Sequence, residues 1–171
     1  LRLDWQTAAA GTLFAEVSRS ERFDESDSSL YVGGAWKALQ DWQLGAGAAV
    51  TEDARFLPQR DVSLHATRAW ERGWGTVFGV RQRAYATGDV STYSFTAEKY
   101  VADYRIAYRL DHSYQSGADS ALTHVLALTW FTNDKRSLGV TLGAGEEIEI
   151  IGLDQLLRTS VANVTLTGNE K

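Results

Sequence analysis

Residues 103–115 read DYRIAYRLDHSYQ. Tyr104, Ile106, Tyr108 and Leu110 fall on one parity, and Arg105, Ala107, Arg109, Asp111 and Ser113 on the other. Successive side chains of an extended chain point to opposite faces. A strand here therefore has one aromatic and aliphatic face and one face with three charges. At helical spacing the same residues scatter round the cylinder, so the pattern predicts a strand. What decides the fold is which face meets water. In a soluble sheet the apolar face is the inside; in an outer-membrane barrel it is the outside, and the charges line a lumen.

The same alternation extends in both directions. Before this stretch, strands are predicted over Gly11 to Phe23, Ser29 to Leu39, Trp42 to Thr51, Arg60 to Glu71, Trp74 to Thr87 and Ser91 to Val101. After it come Ser120 to Thr132, Ser137 to Glu149 and Thr159 to Thr167, with Leu1 to Trp5 as the tail of a further strand. Gln40-Asp41, Arg72-Gly73, Gly88-Asp89 and Asn133-Asp134 supply turn chemistry. The polar run Asp24 to Ser28 reads as a turn or loop, and Glu52 to Gln59 as a longer loop holding the single proline, Pro58. About ten hairpin-connected strands result, with no convincing helix between them. Many approach the 9–11 residues that a tilted strand needs to cross a bilayer, longer than the soluble norm of about 5–6.

Composition narrows the class. The chain has 171 residues, 15 Gly, one Pro, six Trp, seven Tyr, and neither Cys nor Met. A mean hydropathy of −0.27 leaves no apolar run long enough for a transmembrane helix. A barrel stays open, because it spreads its apolar residues over alternate positions. A net charge of −5 without a basic cluster excludes a nucleic-acid binder. The lack of Cys excludes a disulfide framework and thiolate metal sites. No signal-peptide pattern precedes the first strand.

Two features favour the apolar face outside. The polar face carries long side chains of both signs: Glu16, Lys37, Arg81, Arg83, Glu98, Arg105, Arg109, Asp111 and Glu147. Buried in a dry core they would all have to pair, whereas in a wet lumen water and one another suffice. Trp36, Trp42, Trp70, Trp74 and Trp130 lie near strand ends, where an aromatic girdle sits. The fold expected is all-β: one antiparallel up-and-down transmembrane barrel domain over 1–171. The terminal Thr167-Gly168-Asn169-Glu170-Lys171 reads as a turn rather than an aromatic-ended closing strand. An open edge is not tolerated in lipid, so further strands are expected beyond the C-terminus, about twelve in all.

Several stretches together resemble the YaiO-like outer-membrane β-barrel family. They are GTLFAEVSRSERF at 11–23, PQRDVSL at 58–64, RIAYRLDHSYQSGADSALTHVLALTWFTND at 105–134 and GAGEEIE at 143–149. The resemblance implies a twelve-stranded barrel of the bacterial outer membrane. It also implies association with exopolysaccharide or its export machinery. No catalytic residues come with it.

Three function classes follow. The leading one is a non-enzymatic barrel without cofactor, acting as a narrow pore or as an accessory of exopolysaccharide export, with membrane lipid as its surroundings. In this reading the lumen residues contact an anionic or sugar solute; in the plainer reading they form a salt-bridged plug. The second class is a membrane-embedded hydrolase, for which Ser63 and His65 share a strand face; a third orienting group and an oxyanion hole would also be required. The third is a soluble β-barrel binding a small ligand, with the apolar face inside. His112 and His124 beside Asp111 are a metal candidate that lacks ligand spacing. Glu146, Glu147 and Glu149 beside Gly143 and Gly145 are a Ca²⁺ candidate, with solvated acids at a strand end as the plainer reading.

Overall fold

The computed structural model describes residues 1–7, 11–22, 24–115, 120–133, 136–151 and 155–170, with backbone alone at 7, 133, 147–151, 155–159, 161 and 169–170. The strands are β1 (Arg2–Thr7), β2 (Gly11–Arg22), β3 (Glu25–Leu39), β4 (Trp42–Glu52), β5 (Arg60–Ala69), β6 (Trp74–Tyr85), β7 (Gly88–Val101), β8 (Tyr104–Gln115), β9 (Ser120–Asn133), β10 (Arg136–Ile151) and β11 (Gln155–Glu170). They form one 11-stranded antiparallel sheet in which each strand pairs with its neighbours in sequence. One short 3-10 turn, Glu71–Gly73, links β5 to β6. Among the described residues no ladder joins β1 to β11.

The sheet curls. Ser20 of β2, Arg81 of β6, Arg109 of β8 and Asn163 of β11 all line one cavity, which a flat sheet of this order could not bring together. Because links alternate between the two ends of an up-and-down sheet, the barrel wall has two rims. The lower rim carries the links after β1, β3, β5, β7 and β9. The upper rim carries those after β2, β4, β6, β8 and β10.

Side-chain alternation sets the two faces, and the outer one is apolar. Leu64 is 58% exposed and Phe78 50%. Val62, Val80, Ile106, Tyr108, Val140 and Leu142 are exposed on the same side. The buried apolar residues among those described are only Val90, Ala107 and Ala121. They lie on the inner face, and Tyr85 packs against Val90 and Ala121 near the upper rim. A soluble barrel with an apolar interior is therefore excluded. Water would leave the outer face unstable; lipid stabilises it by roughly 1.5–3 kcal/mol for each large apolar side chain fully covered.

Several strand ends shift by one or two residues from the sequence expectation, and three shifts change the reading of a segment. β3 begins at Glu25, because Asp24 takes a left-handed φ of 63° and closes a tight turn. Asp tolerates that conformation better than most residues. Ser26, Asp27 and Ser28 then pair in register with Glu21, Ser20 and Arg19. β7 begins at Gly88, with the turn at residues 86–87. β11 extends from Gln155 to Glu170 rather than over 159–167 alone. In the added ends of β3 and β7, Glu25 to Ser28 and Gly88-Asp89 are polar or small, so they have ladder hydrogen bonds without hydrophobic alternation.

Candidate functional site: the lumen

Inward-facing residues build the lumen wall, and glycines give it room. Gly45 and Gly47 of β4 face inward and have no Cβ. The His65 ring lies over the first and the Tyr31 ring over the second, where any larger residue would collide. Both rings thus lie along the wall. Gly75 takes the Glu98 side chain in the same way.

The upper half of the lumen encloses a cavity of about 700 Å³. Arg81, Arg83, Arg109 and Asp111 line it, with Thr92, Ser113, Thr123 and Asn163 among the smaller polar side chains. Arg81 bonds Asp61 of the neighbouring strand through Nε, at 2.9 and 3.0 Å to the two carboxylate oxygens, and through Nη2. Asp61 is buried. Arg109 pairs with Asp111 along its own strand at 2.9 Å. Arg83 differs: its Nη1 reaches the Tyr85 hydroxyl at 3.4 Å, its Nε is shielded without a partner, and no carboxylate pairs with it among the described residues. Nearer the lower rim, Arg105 donates from Nε to Glu98 at 2.7 Å across the β7–β8 ladder.

The other lumen positions are scattered. Glu16 lies 3.8 Å from Arg2, whose guanidinium also pairs with Asp4 at 3.0 Å and sits over the Phe14 ring. Lys37 is exposed near the lower rim, with no ion pair among the described residues. Glu147 pairs through its backbone with Thr159, and its side chain lies outside the described residues. Arg81, Arg105 and Arg109 thus pair across or along strands as charge neighbours can, but the partner of Arg81 is Asp61, which the sequence places on the polar face without singling it out.

Asp27 is the other carboxylate that sequence reasoning missed. It is 1% exposed and accepts backbone N–H bonds from Arg55, Phe56 and Leu57 at 2.7–3.1 Å. The segment 53–59 between β4 and β5 is thereby drawn inward, and Phe56, Leu57 and Pro58 form part of the cavity wall. Arg55 in this loop bonds Glu25 at 2.6 Å, which holds its guanidinium pKa above the usual value. The available signal was an acidic residue inside a polar run that faces a longer loop. Its partners are backbone amides, which sequence patterns do not reveal.

The chemistry-bearing candidates separate. Ser63 and His65 share the inner face, but no hydrogen bond joins them among the described residues, and the nearby Asp61 is held by Arg81. His124 faces outward, where its Nδ1 meets the Tyr108 hydroxyl at 2.6 Å. The His112 ring packs on Tyr114 on that face. Among the described residues no group of three or more His, Asp or Glu gathers as a metal site. The side chains of Glu147 and Glu149 lie outside them.

Comparison with known proteins agrees with this architecture. A solved structure named KdgM porin superimposes with a TM-score of 0.59 at 15% identity, covering 84% of this chain and 81% of that one. At such identity the likeness concerns the fold alone. No curated protein matches the chain. The family model described as YaiO membrane beta barrel domain matches residues 1–149. With its lipid-facing apolar wall, polar lumen and this match over most of its length, the chain belongs to the YaiO membrane β-barrel domain family.

Proposed function

We propose that this barrel is a narrow, non-enzymatic pore of the bacterial outer membrane whose inner wall contacts an anionic solute. Its place is as an accessory to the export of a surface polysaccharide. The observation that carries the reading is Arg83, a cation on the cavity wall with no carboxylate partner among the described residues. Arg81 and Arg109 stand beside it, each with its charge balanced by one acid. A surplus guanidinium in a confined lumen favours carboxylate- or phosphate-bearing sugars over neutral ones, because its fork of donors fits those groups. Against a hydrolase speaks the engagement of Asp61 by Arg81, which leaves Ser63 and His65 without an orienting acid from their own strand. Short turns mark the periplasmic side of such barrels. The link 53–59 belongs to the upper rim, so the upper rim faces outward and the lower rim the periplasm.

The test is electrical. In planar bilayers the barrel should conduct weakly and prefer anions, and glucuronate should block the current more than glucose. Arg83→Ala with Arg109→Ala should shift the reversal potential toward cation preference and abolish the difference between the two sugars. Unchanged selectivity and block would remove the solute-contact role from these arginines.

A further inference from the structure

A second cation without a partner sits on the opposite surface of the wall. The outward face of β3 to β6 holds a shallow apolar groove of about 330 Å³, lined by Trp36, Leu44, Leu64, Ala66, Phe78 and Val80. The register explains it. Leu44 and Phe78 pair on either side of Ala66, whose short side chain forms the floor between two taller walls. One step toward the lower rim on β5 is Arg68, between Trp42 and Thr76 on the neighbouring strands. Its guanidinium carbon lies 3.7 Å from the Trp70 ring centroid and 5.3 Å from that of Trp42. Trp70 is itself fixed, since its indole N–H donates to the Thr76 hydroxyl at 2.9 Å.

Stacking on indoles accounts for part of this arrangement, because a guanidinium gains from an aromatic face and a long side chain snorkels toward the interface. It leaves the terminal Nη nitrogens of Arg68 without a hydrogen bond or ion pair among the described residues, and these, unlike the shielded Nε, are open to a ligand. A cation held in place, with unused donors, stands at the head of an apolar groove on a lipid-facing wall. One class of molecule matches both halves: a phosphate on a glycerol carrying acyl chains. The guanidinium offers the phosphate paired donors, and the groove offers an acyl chain contact along Leu44, Leu64 and Phe78. A protein partner is the poorer match, since nine residues line this groove and a specific interface takes about 20–30 residues a side.

We propose that Arg68, framed by Trp42 and Trp70, binds the headgroup phosphate of a glycerophospholipid whose acyl chain lies in this groove. The site rests on the membrane orientation given under the proposed function: the lower rim then meets the periplasmic leaflet.

The test is native mass spectrometry of the full chain in detergent, titrated with dioleoylphosphatidylglycerol. Gel mobility before and after boiling first establishes that each variant folds as a barrel. Wild type should retain one tightly held lipid under collisional activation. Arg68→Gln should lower its occupancy about fivefold, the effect of one interfacial basic residue. Arg68→Lys, which keeps the charge and loses the fork, should fall between. Arg60→Gln removes the same kind of charge at the far end of the same strand and should change nothing. Equal occupancy in wild type and Arg68→Gln, or an equal loss in Arg60→Gln, would overturn the site while leaving the barrel reading intact. Failure of the wild type itself to fold in detergent or vesicles would overturn the membrane reading and the site with it.

Discussion

The two rims of this barrel are made of different materials. All six tryptophans, Trp5, Trp36, Trp42, Trp70, Trp74 and Trp130, lie in the lower half of the wall, beside the links after β1, β3, β5 and β9. Tyr104 stacks on Trp130 there, with ring centroids 6.4 Å apart, and Lys99 lies over Trp74. The upper half has no tryptophan. Its outer face has the stacked Tyr93–Tyr114 pair, and its mouth is organised by ions: Asp27 holding the loop, Arg55 on Glu25, Arg81 on Asp61. An indole anchors a surface at the level of lipid headgroups, whereas a carboxylate that captures backbone amides fixes a loop across an opening. The lower rim is therefore built to hold a position in the membrane, and the upper to shape an entrance.

The largest effect that would break this contrast comes from the upper rim. Asp27→Ala leaves three loop amides without their acceptor, each worth about 1–3 kcal/mol when buried. The expected outcome is release of the loop: amide exchange at Arg55, Phe56 and Leu57 at least about tenfold faster, and a larger single-channel conductance. A loop that stays protected, with conductance unchanged, would mean that Asp27 does not shape the entrance.

The lower rim is next. Trp70→Ala with Trp74→Ala should lower unfolding free energy in phospholipid vesicles by about 2 kcal/mol, measured by urea titration of tryptophan-independent circular dichroism. Tyr93→Ala with Tyr114→Ala, in the upper half, should cost clearly less. Equal losses would show that anchoring is shared between the rims. Within the lumen, Glu98→Gln leaves Arg105 without its acid. It should cost about 1 kcal/mol, as expected for a partly exposed pair, and move ion preference toward anions in bilayer recordings.

The smallest effect concerns a turn of the lower rim. Ala102 has a left-handed φ of 49°, a conformation that costs an L-residue about 1–2 kcal/mol. Ala102→Gly should stabilise the barrel by roughly 0.5 kcal/mol, because glycine's looser unfolded state offsets part of the gain. Destabilisation in the same urea titration would show that the methyl group contributes contacts at the rim.

Much of the architecture was legible because barrel strands repeat one simple rule. In Tyr104–Gln115 the parity of four apolar residues against three charges is enough to set both faces, and the sheet keeps it without a crossover. The one-sided tryptophan rim was also open to reading, since counting turns assigns each Trp to an end; the girdle was expected, but not its confinement to one rim. Strand ends were harder. Ser26, Asp27 and Ser28 form part of β3 although they look like a loop, because ladder hydrogen bonds need no hydrophobic pattern. The lumen pairs were partly hidden for a different reason. Arg81 reaches Asp61 diagonally across the ladder, and such a choice depends on the register between two strands. The role of Asp27 left only its place in a polar run as a signal, because its partners are amides rather than side chains.

Consecutive pairing has a consequence for how the wall assembles. Every ladder joins strands adjacent in sequence, and the longest link between them is the segment 53–59. Bringing partners together therefore closes only short loops, and loop entropy grows slowly with length. Contacts of low sequence separation favour fast folding, unlike the long-range pairings of most all-β proteins. The wall can grow one hairpin at a time, each new strand covering the exposed edge left by the last. During growth in a bilayer, only the advancing edges carry unpaired backbone groups, so the cost of an open sheet in lipid stays confined to those edges and does not rise with each strand added.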